Sequence, residues 1–184
     1  MKVTAGILIK SAFCSAWFRI RGVKCSLVAC DGHIPVLYTG GAIEIGKRLV
    51  VRGRIARCEL GATGSKALLK IGSGVLINQG ATIAATCHIE IGDDTQIGGF
   101  AAIFDSDYHR LDPGKPIRSE PVILGSNVWL GHNVIVLPGS KIGDHSVIAA
   151  GSIVKGDIPP RVLAAGNPAK VIRELDIPDG WRRG

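Results

Sequence analysis

From residue 124 to residue 159 the chain places an aliphatic residue at every sixth position. The region divides into LGSNVW, LGHNVI, VLPGSK, IGDHSV, IAAGSI and VKGDIP. The first residues of these segments are Leu124, Leu130, Val136, Ile142, Ile148 and Val154. One fixed spacing repeated six times indicates a repeat architecture. A period of six does not match the 3.6-residue period of an α-helix, but it fits a short strand of alternating side chains followed by a sharp corner.

Looser copies of the same pattern come earlier in the chain. IGSGVL, INQGAT and IAATCH run from Ile71, the phase shifts by two residues between Ile89 and Ile91, and IGDDTQ and IGGFAA follow. A still looser set begins at Ile43, so the repeat fills most of residues 41–159. Glycine at the second place and Asn or Asp near the fourth predict corners that require positive φ. Each turn of such a coil rests on its neighbours.

The segment from Pro121 to Leu175 carries the most specific motif. It contains VILGSNVWLGHNVIVLPGSKIGDHSVIAAGSIVKGDIPP and resembles the C-terminal half of hexapeptide-repeat sugar O-acetyltransferases, such as the galactoside and maltose enzymes. With the upstream repeats, the resemblance covers roughly residues 40–175. It implies an all-β fold, a left-handed parallel β-helix in which three hexapeptides form one triangular coil.

This resemblance predicts three parts of the chain: an N-terminal segment at 1–40, the β-helix at 41–166, and a C-terminal helix and tail at 167–184. The short helix is predicted from GNPAKVIREL, because Asn167 suits the N-cap and Pro168 the first helical position.

The repeat disappears between residues 103 and 122, which predicts a loop at 104–121 extruded from a corner. Loops on a rigid scaffold often carry function. The resemblance implies that His109 is the general base, which removes the proton from a sugar hydroxyl during direct acyl transfer. Asp105, Asp107 and Glu120 are candidates for orienting its second ring nitrogen, and Asp105 is also a candidate for binding the acceptor. Each carboxylate is equally typical of a solvated loop.

The resemblance also implies acetyl-CoA as the acyl donor. Trp129 corresponds to a tryptophan beside the thiol end of this donor, although trimer packing or a plain surface aromatic would also explain it. The other donor-side candidates, along the pantetheine arm or near the phosphates, are His132, Ala150, Ser152, Lys155, Lys170 and Arg173. Small residues also suit corners, and Lys155-Gly156 replaces the Thr-Lys pair that the family often has before DIPP.

On the acceptor side, Asn78 matches an asparagine that helps to hold the sugar hydroxyl, and it is also typical of a corner. Thr86 stands where the galactoside enzymes have a carboxylate, which predicts a different acceptor pocket. The implied activity is sugar O-acetylation by a homotrimer, in surface polysaccharide biosynthesis and with a sugar or glycolipid acceptor. An N-acyltransferase acting on an amino sugar nucleotide, or a non-catalytic scaffold, remains an alternative.

The chain lacks the motifs of two related enzyme activities. A zinc γ-carbonic anhydrase needs two closely spaced histidines, which the five histidines of this chain do not provide, so no metal is expected. The Asp-Arg-His-Pro sequence of serine acetyltransferases is also absent.

Charge and cysteine content narrow the partners and the compartment. A net charge of +7 favours an anionic partner, but the basic residues are scattered without interleaved aromatics, which argues against nucleic acid. The first 30 residues contain five basic residues and no acid, so they would suit an anionic bilayer or a solvated terminus. Five cysteines without a CxxC pair argue against a disulfide framework or zinc site and for a reducing, cytoplasmic location.

Overall fold

The chain winds into a left-handed parallel β-helix whose three sheets form the faces of a triangular column. The computed structural model describes residues 5–178 and 180–183, with side chains from residue 11 onward. Each coil places one strand on face A, one on face B and one on face C, in that order.

Face A consists of β1 (Lys24–Cys25), β4 (Ala42–Ile45), β7 (Leu68–Ile71), β10 (His88–Ile91), β13 (Val122–Leu124), β16 (Lys141–Ile142) and β19 (Asp157–Ile158). Face B consists of β2 (Val28–Gly32), β5 (Leu49–Gly53), β8 (Leu76–Ile77), β11 (Gln96–Ile97), β14 (Trp129–Leu130), β17 (Val147–Ile148), β20 (Val162–Gly166) and β21 (Ala169–Glu174). Face C consists of β3 (Val36–Thr39), β6 (Glu59–Ala62), β9 (Thr82–Ala85), β12 (Ala102–Phe104), β15 (Ile135–Val136) and β18 (Ile153–Val154). A single helix, α1 (Ala5–Ile20), precedes the strands in the described part of the chain.

The six-residue period sets the register between coils. Trp129 pairs with Val147 and Leu130 pairs with Ile148, three hexapeptides farther along the chain. Leu130 and Ile148 point inward and are fully buried, and the small residue Ser146 at a fifth position is buried beside them. The core is therefore a column of stacked aliphatic side chains, as the repeat predicted.

The corners confirm the prediction of positive φ for the fourth positions and correct it for the second-position glycines. Asp94, Asn127 and Asn133, at fourth positions, have φ values of 54°, 56° and 56°. Gly131, at a second position, is needed for a different reason: a Cβ there would lie 2.6 Å from the backbone nitrogen of Ala150 in the next coil. The second-position glycines at such corners permit close stacking and do not supply positive φ.

The β-helix begins earlier than residue 41. Strands β1, β2 and β3 pair in parallel with β4, β5 and β6, so the first coil lies inside the segment predicted to be separate. Helix α1 closes the open end of this coil, with Cys14 and Phe18 fully buried among its contacts. Gly32, Gly40 and Gly41 of the first coil do not follow the six-residue spacing of the later repeats, which is why the sequence pattern did not reveal this coil.

The predicted C-terminal helix is wrong. Residues Ala169–Glu174 form β21, which pairs antiparallel with β20 after a turn containing Gly166 and the cis peptide bond between Asn167 and Pro168. The β-branched residues Val171 and Ile172 favour a strand. The open edge of the last coil offers unpaired backbone groups, which this strand satisfies.

The prediction of unpaired cysteines is wrong for one pair. A disulfide joins Cys14 of α1 to Cys30 of β2, whereas Cys25, Cys58 and Cys87 are free. The pairing follows from the way α1 packs across the first coil, which no local spacing encodes. In the part of the chain that the structure describes, no helix is long and apolar enough to cross a membrane.

We expect the column to be sensitive to core truncation. Ile97 is fully buried in β11, so Ile97→Ala should lower the free energy of unfolding by about 2–5 kcal/mol, because it leaves a cavity between coils. Ile172 is 60% exposed, and Ile172→Ala should change it by no more than about 0.5 kcal/mol. Urea titration followed by circular dichroism measures both, and equal losses would contradict the assignment of the core.

Candidate active site

The long loop at residues 105–121 leaves the column at the edge between faces C and A and is closed at its base. Ser106 and Ser119 form an isolated antiparallel bridge, with their hydroxyl oxygens 2.9 Å apart. The amide of Asp107 donates to the carbonyl of Arg118 at 3.0 Å. These contacts hold the two arms of the loop together where they leave the column.

Asp105 anchors this loop to the preceding coil. Its carboxylate is fully buried and accepts four hydrogen bonds, from the amide and hydroxyl of Thr86 at 2.7 and 2.8 Å, the amide of Cys87 at 2.8 Å and the amide of His88 at 2.7 Å. Three backbone amides of one corner thereby find an acceptor. Because both carboxylate oxygens are occupied, the predicted role of Asp105 in binding the acceptor is wrong for this structure.

Tyr108 and the backbone around it fix the position of His109. The Tyr108 ring packs edge-on against Phe104 with centroids 5.8 Å apart, and its hydroxyl donates to the carbonyl of Ala84 at 3.2 Å. Tyr108 has a φ of 59°, and the His109 amide donates to the carbonyl of Asp107 at 2.7 Å. The His109 imidazole is exposed, and neither ring nitrogen has a hydrogen-bond partner among the described residues. The loop therefore holds the backbone of His109 and leaves both ring nitrogens without a partner among the described residues.

The two remaining loop carboxylates differ in their surroundings. Arg118 donates two hydrogen bonds to Glu120, at 2.9 and 2.7 Å, and a third to the carbonyl of Pro138 at 2.9 Å. The hydrogen bond and charge of Arg118 hold the pKa of Glu120 below its usual value. Glu120 is thus committed to Arg118 in the single chain and does not orient His109. Asp107 is half-buried and makes no side-chain hydrogen bond within the described residues, so it remains the candidate partner.

Cys87 lies beside the loop anchor and is poorly suited to covalent catalysis. Its partial burial, together with the hydrogen bond and negative charge of Asp105, raises the pKa of the thiol to about 11. At neutral pH the thiolate fraction is about 10⁻⁴, and the thiolate is the nucleophilic form. The site therefore has a histidine with free nitrogens but no activated cysteine.

Face B carries the donor-side candidates. Trp129 is 44% exposed and points outward in one row with Val147 and Leu163 of the next two strands. Lys170 and Arg173 are three residues apart, a spacing that in a regular strand would put them on opposite sides. A bulge between Leu163 and Ala164 changes this: Lys170 lies opposite Ala165, and Arg173 lies opposite Leu163. Both basic residues therefore lie on the outward side of face B, like Trp129.

The edge between faces B and C carries the candidates Asn78, His132 and Ala150. The Asn78 amide donates to the carbonyl of Ile97 at 3.0 Å, which stabilises a corner. The His132 ring packs edge-on against Phe100 at 5.5 Å. Asn78 and His132 line a cavity of about 330 Å³, and Ala150 is exposed on a corner of the same edge.

The structure separates two candidates from this group. Ser152 is 1% exposed, and its hydroxyl accepts a hydrogen bond from the amide of Gly166 at 3.1 Å. Its predicted role along the pantetheine arm is therefore wrong, and it joins two corners instead. Lys155 is exposed but lies at the edge between faces C and A, away from Lys170 and Arg173.

The site residues of one chain do not meet. The loop with His109 leaves the edge between faces C and A, and in a triangular column this edge lies opposite face B, which carries Trp129. Sequence reasoning also missed Ser106, Tyr108 and Arg118, which build the base of the loop. No repeat signal marks these residues, because Ser106 bonds within the loop, whereas Tyr108 and Arg118 contact the neighbouring coils.

Comparison with known proteins agrees with this architecture. Residues 121–156 match the model of the bacterial transferase hexapeptide family, described as six repeats. Residues 121–156 therefore carry the repeat of this family. It is 40% identical to galactoside O-acetyltransferase of Escherichia coli over 114 residues, which cover 60% of this chain and 56% of that protein. The chain therefore spans about half the length of that curated relative.

Solved structures share the fold over most of the hexapeptide-repeat chain. A galactoside acetyltransferase in complex with coenzyme A superposes with a TM-score of 0.54 at 25% identity, covering 96% of this chain and 86% of that one. The N-acyltransferase AntD of Bacillus cereus, in complex with dTDP-4-amino-4,6-dideoxyglucose and coenzyme A, gives 0.68 at 20% identity, covering 89% and 90%. A Vibrio cholerae acetyltransferase with acetyl coenzyme A gives 0.58 at 21%, covering 95% and 92%.

The buried carboxylate of Asp105 predicts a measurable role in loop stability. In Asp105→Asn the new amide group would face two of the four donors, at least one of them a backbone amide, so the free energy of unfolding should fall by about 1–3 kcal/mol. Proteolysis within residues 105–121 should accelerate. Asp112→Asn is the matched control, because Asp112 is an exposed loop carboxylate paired only with Lys115. Equal protease resistance of the two variants would refute the anchoring role.

The raised pKa of Cys87 predicts that this thiol is dispensable for chemistry. In an acetyl-transfer assay, Cys87→Ala should retain turnover within about twofold, because a protonated thiol does not attack a thioester. Alkylation of Cys87 should be slow at pH 7 and should accelerate as the pH rises toward 11. A loss of turnover above about 100-fold, with an unchanged melting temperature, would instead indicate a covalent acyl-cysteine route.

Proposed function

We propose that this protein is an acetyl-CoA-dependent O-acetyltransferase that transfers an acetyl group to a sugar hydroxyl with His109 as general base. The observation that carries the proposal is the anchored loop, which holds the backbone of His109 while both ring nitrogens are free of partners among the described residues. The 40% identity to galactoside O-acetyltransferase over 114 residues supports the same reaction class. The absence of a carboxylate at Thr86 favours an acceptor other than a galactoside.

The charges on the three faces support assembly into a trimer. The outward residues of face A alternate in sign along one row, with ion pairs between Lys24 and Glu44 at 2.9 Å and between Lys70 and Glu90 at 2.7 Å. Ile123 interrupts the row, and Lys141 and Asp157 continue it. Such a surface satisfies its own charges in water and offers little to a neighbouring chain.

Faces B and C present mainly apolar rows. The outward row of face B consists of Val50, Leu76, Gln96, Trp129, Val147 and Leu163. The outward row of face C consists of Glu59, Thr82, Ala102, Ile135 and Ile153. Apolar rows on two adjoining faces favour protein contact. A closed ring would place face B of one chain beside face C of the next, which is a head-to-tail contact that closes around a threefold axis.

This arrangement would complete the site between two chains. The loop at the outer edge of face C would extend His109 toward Trp129 on face B of the neighbour. Asn78, His132 and Ala150 lie at the edge shared by the two apolar faces and would line the inner part of the same groove. The homotrimer would therefore unite residues that one chain keeps apart.

Face B has the dimensions and chemistry that the donor requires. Trp129 and Arg173 are separated by three strand spacings along the row, or about 14 Å. An extended pantetheine arm could follow the apolar row from Trp129 and bring the anionic phosphates to Lys170 and Arg173, whose ammonium and guanidinium groups form charge-assisted hydrogen bonds.

In the proposed mechanism the acceptor hydroxyl attacks the thioester carbonyl while His109 takes its proton. The new C–O bond forms, the C–S bond breaks, and the imidazolium returns the proton to the departing thiolate. Asp107 would orient the second nitrogen of His109 and stabilise its transient positive charge.

His109→Ala should lower kcat by about 100-fold or more, because the hydroxyl loses its base. The variant should still be stabilised by CoA in a thermal-shift assay, because the donor lies on face B of the neighbouring chain. His33→Ala is the matched control, since His33 is exposed and lies outside the loop. An unchanged kcat would refute the base assignment.

The alternative functions are tested with the parent protein and a set of acceptors that includes an amino sugar nucleotide. Acylation of the amino sugar alone would favour the N-acyltransferase alternative. Absence of stabilisation by CoA in the thermal-shift assay would favour a non-catalytic scaffold.

A further inference from the structure

We propose that the exposed face of α1 docks on an anionic phospholipid surface. This inference goes beyond the transferase reaction and does not depend on it. It begins with the position of the helix: α1 packs across the first coil, with Ser11, Cys14, Ser15 and Phe18 buried. The opposite side of α1 is therefore the end surface of the column.

The composition of this end surface is unusual for a cap. The solvent-exposed residues between 11 and 20 are Ala12, Phe13, Ala16, Trp17, Arg19 and Ile20, five of which are apolar. Phe13, Trp17 and Ile20 are 64%, 37% and 79% exposed. They follow an i, i+4, i+7 pattern and form one stripe. Terminal caps of repeat proteins normally present a polar outer face, which keeps them soluble.

An apolar groove adjoins this stripe. It has a volume of about 430 Å³ and is lined by Phe13, Trp17, Arg21, Ile34, Leu37 and Arg57, with Pro35 and Val36. The Arg21 guanidinium lies over the Trp17 ring at 5.6 Å and donates to the carbonyl of Leu37 at 3.3 Å. Two guanidinium groups beside aromatic and aliphatic side chains suit a lipid headgroup and the upper part of its acyl chain.

The charge of this end identifies the partner. The first 30 residues of the chain contain Lys2, Lys10, Arg19, Arg21 and Lys24 and no acidic residue. Lys2 and the Lys10 side chain lie outside the described residues. Arg19 and Arg21 are exposed at the C-terminal end of α1, whereas the charge of Lys24 is paired with Glu44 at 2.9 Å. Basic residues beside exposed Trp and Phe are typical of helices that lie in the interface of an anionic membrane. No described helix is long and apolar enough to cross the bilayer, so the mode is interfacial.

A second copy of the chain fits this surface less well. A twofold contact brings the same patch of both copies together, so Arg19 and Arg21 would face their equivalents. Like charges across an interface are unfavourable. A parallel trimer would instead point its three α1 helices in one direction, and three weak contacts with one planar surface would reinforce each other.

The test is co-sedimentation of the full-length protein with phosphatidylcholine vesicles, prepared with and without phosphatidylglycerol. We expect binding only to the anionic vesicles, weakened by added salt. The combined variant Phe13→Ser, Trp17→Ser and Ile20→Ser should reduce binding by at least ~10-fold, because the buried apolar contacts are lost. Ile172→Ser is the matched control, since it removes an exposed isoleucine from β21, remote from α1, and it should bind like the parent.

Three other results in this experiment would overturn the proposal. Absence of binding to anionic vesicles, or equal binding of the combined variant, would show that α1 does not contact lipid. A change in the mass of the assembly in light scattering, without vesicle binding, would assign the stripe to contact between copies. Circular dichroism checks folding, and if the combined variant unfolds, the single change Ile20→Ser should still weaken binding several-fold.

Discussion

The parallel stacking of coils is the constraint on which the rest of this structure depends. Each strand pairs with the strand one coil away on the same face. The chain must therefore return to that face after a fixed number of residues, and any extra residues must leave the column as a loop at an edge. The 105–121 loop is such a surplus, and Ile103 and Val136 pair across it as if it were absent. Closing a long loop costs little more than closing a short one. The Asp105 carboxylate fixes the base of the loop, because it accepts hydrogen bonds from three backbone amides of the previous corner.

A stack of coils also has two open ends, and this chain closes them differently. At the first end α1 covers the core and is joined to it by the disulfide between Cys14 and Cys30. At the last end β21 pairs with the final strand, and the following tail returns along the column, where the Arg183 amide donates to Asn127 at 2.9 Å and its guanidinium to the carbonyl of His145 at 3.0 Å. Helix α1 covers the first coil and β21 pairs with the free edge of β20, and both closures hinder end-to-end association.

The column itself could be predicted from the sequence because its defining interaction is local and repeated. The aliphatic first positions and the Asn or Asp corners recur often enough to fix the face on which each strand lies. The base of the loop could not be predicted in this way, since Asp105 meets Thr86 through the stacking of two coils and not through any spacing. In the C-terminal segment, local sequence and tertiary pairing favour different structures. Asn167 and Pro168 favour the start of a helix. The free edge of β20 and the β-branched residues Val171 and Ile172 favour a strand. Tertiary pairing overrode the local capping signal, and a bulge still brought Lys170 and Arg173 to one side.

The rigidity of the column links the two proposals by geometry. Along face B, four strand spacings separate β2, which α1 covers, from β14, which carries Trp129. At about 4.8 Å for each spacing, the donor groove would lie roughly 19 Å from the end surface. If α1 rests on a membrane, a lipid-linked acceptor could reach His109 only with a sugar several units away from its lipid. A free sugar nucleotide would meet no such restriction, because it could enter the groove from solution. The height of the groove, set by the number of coils, would then select among acceptors that share the same reactive hydroxyl.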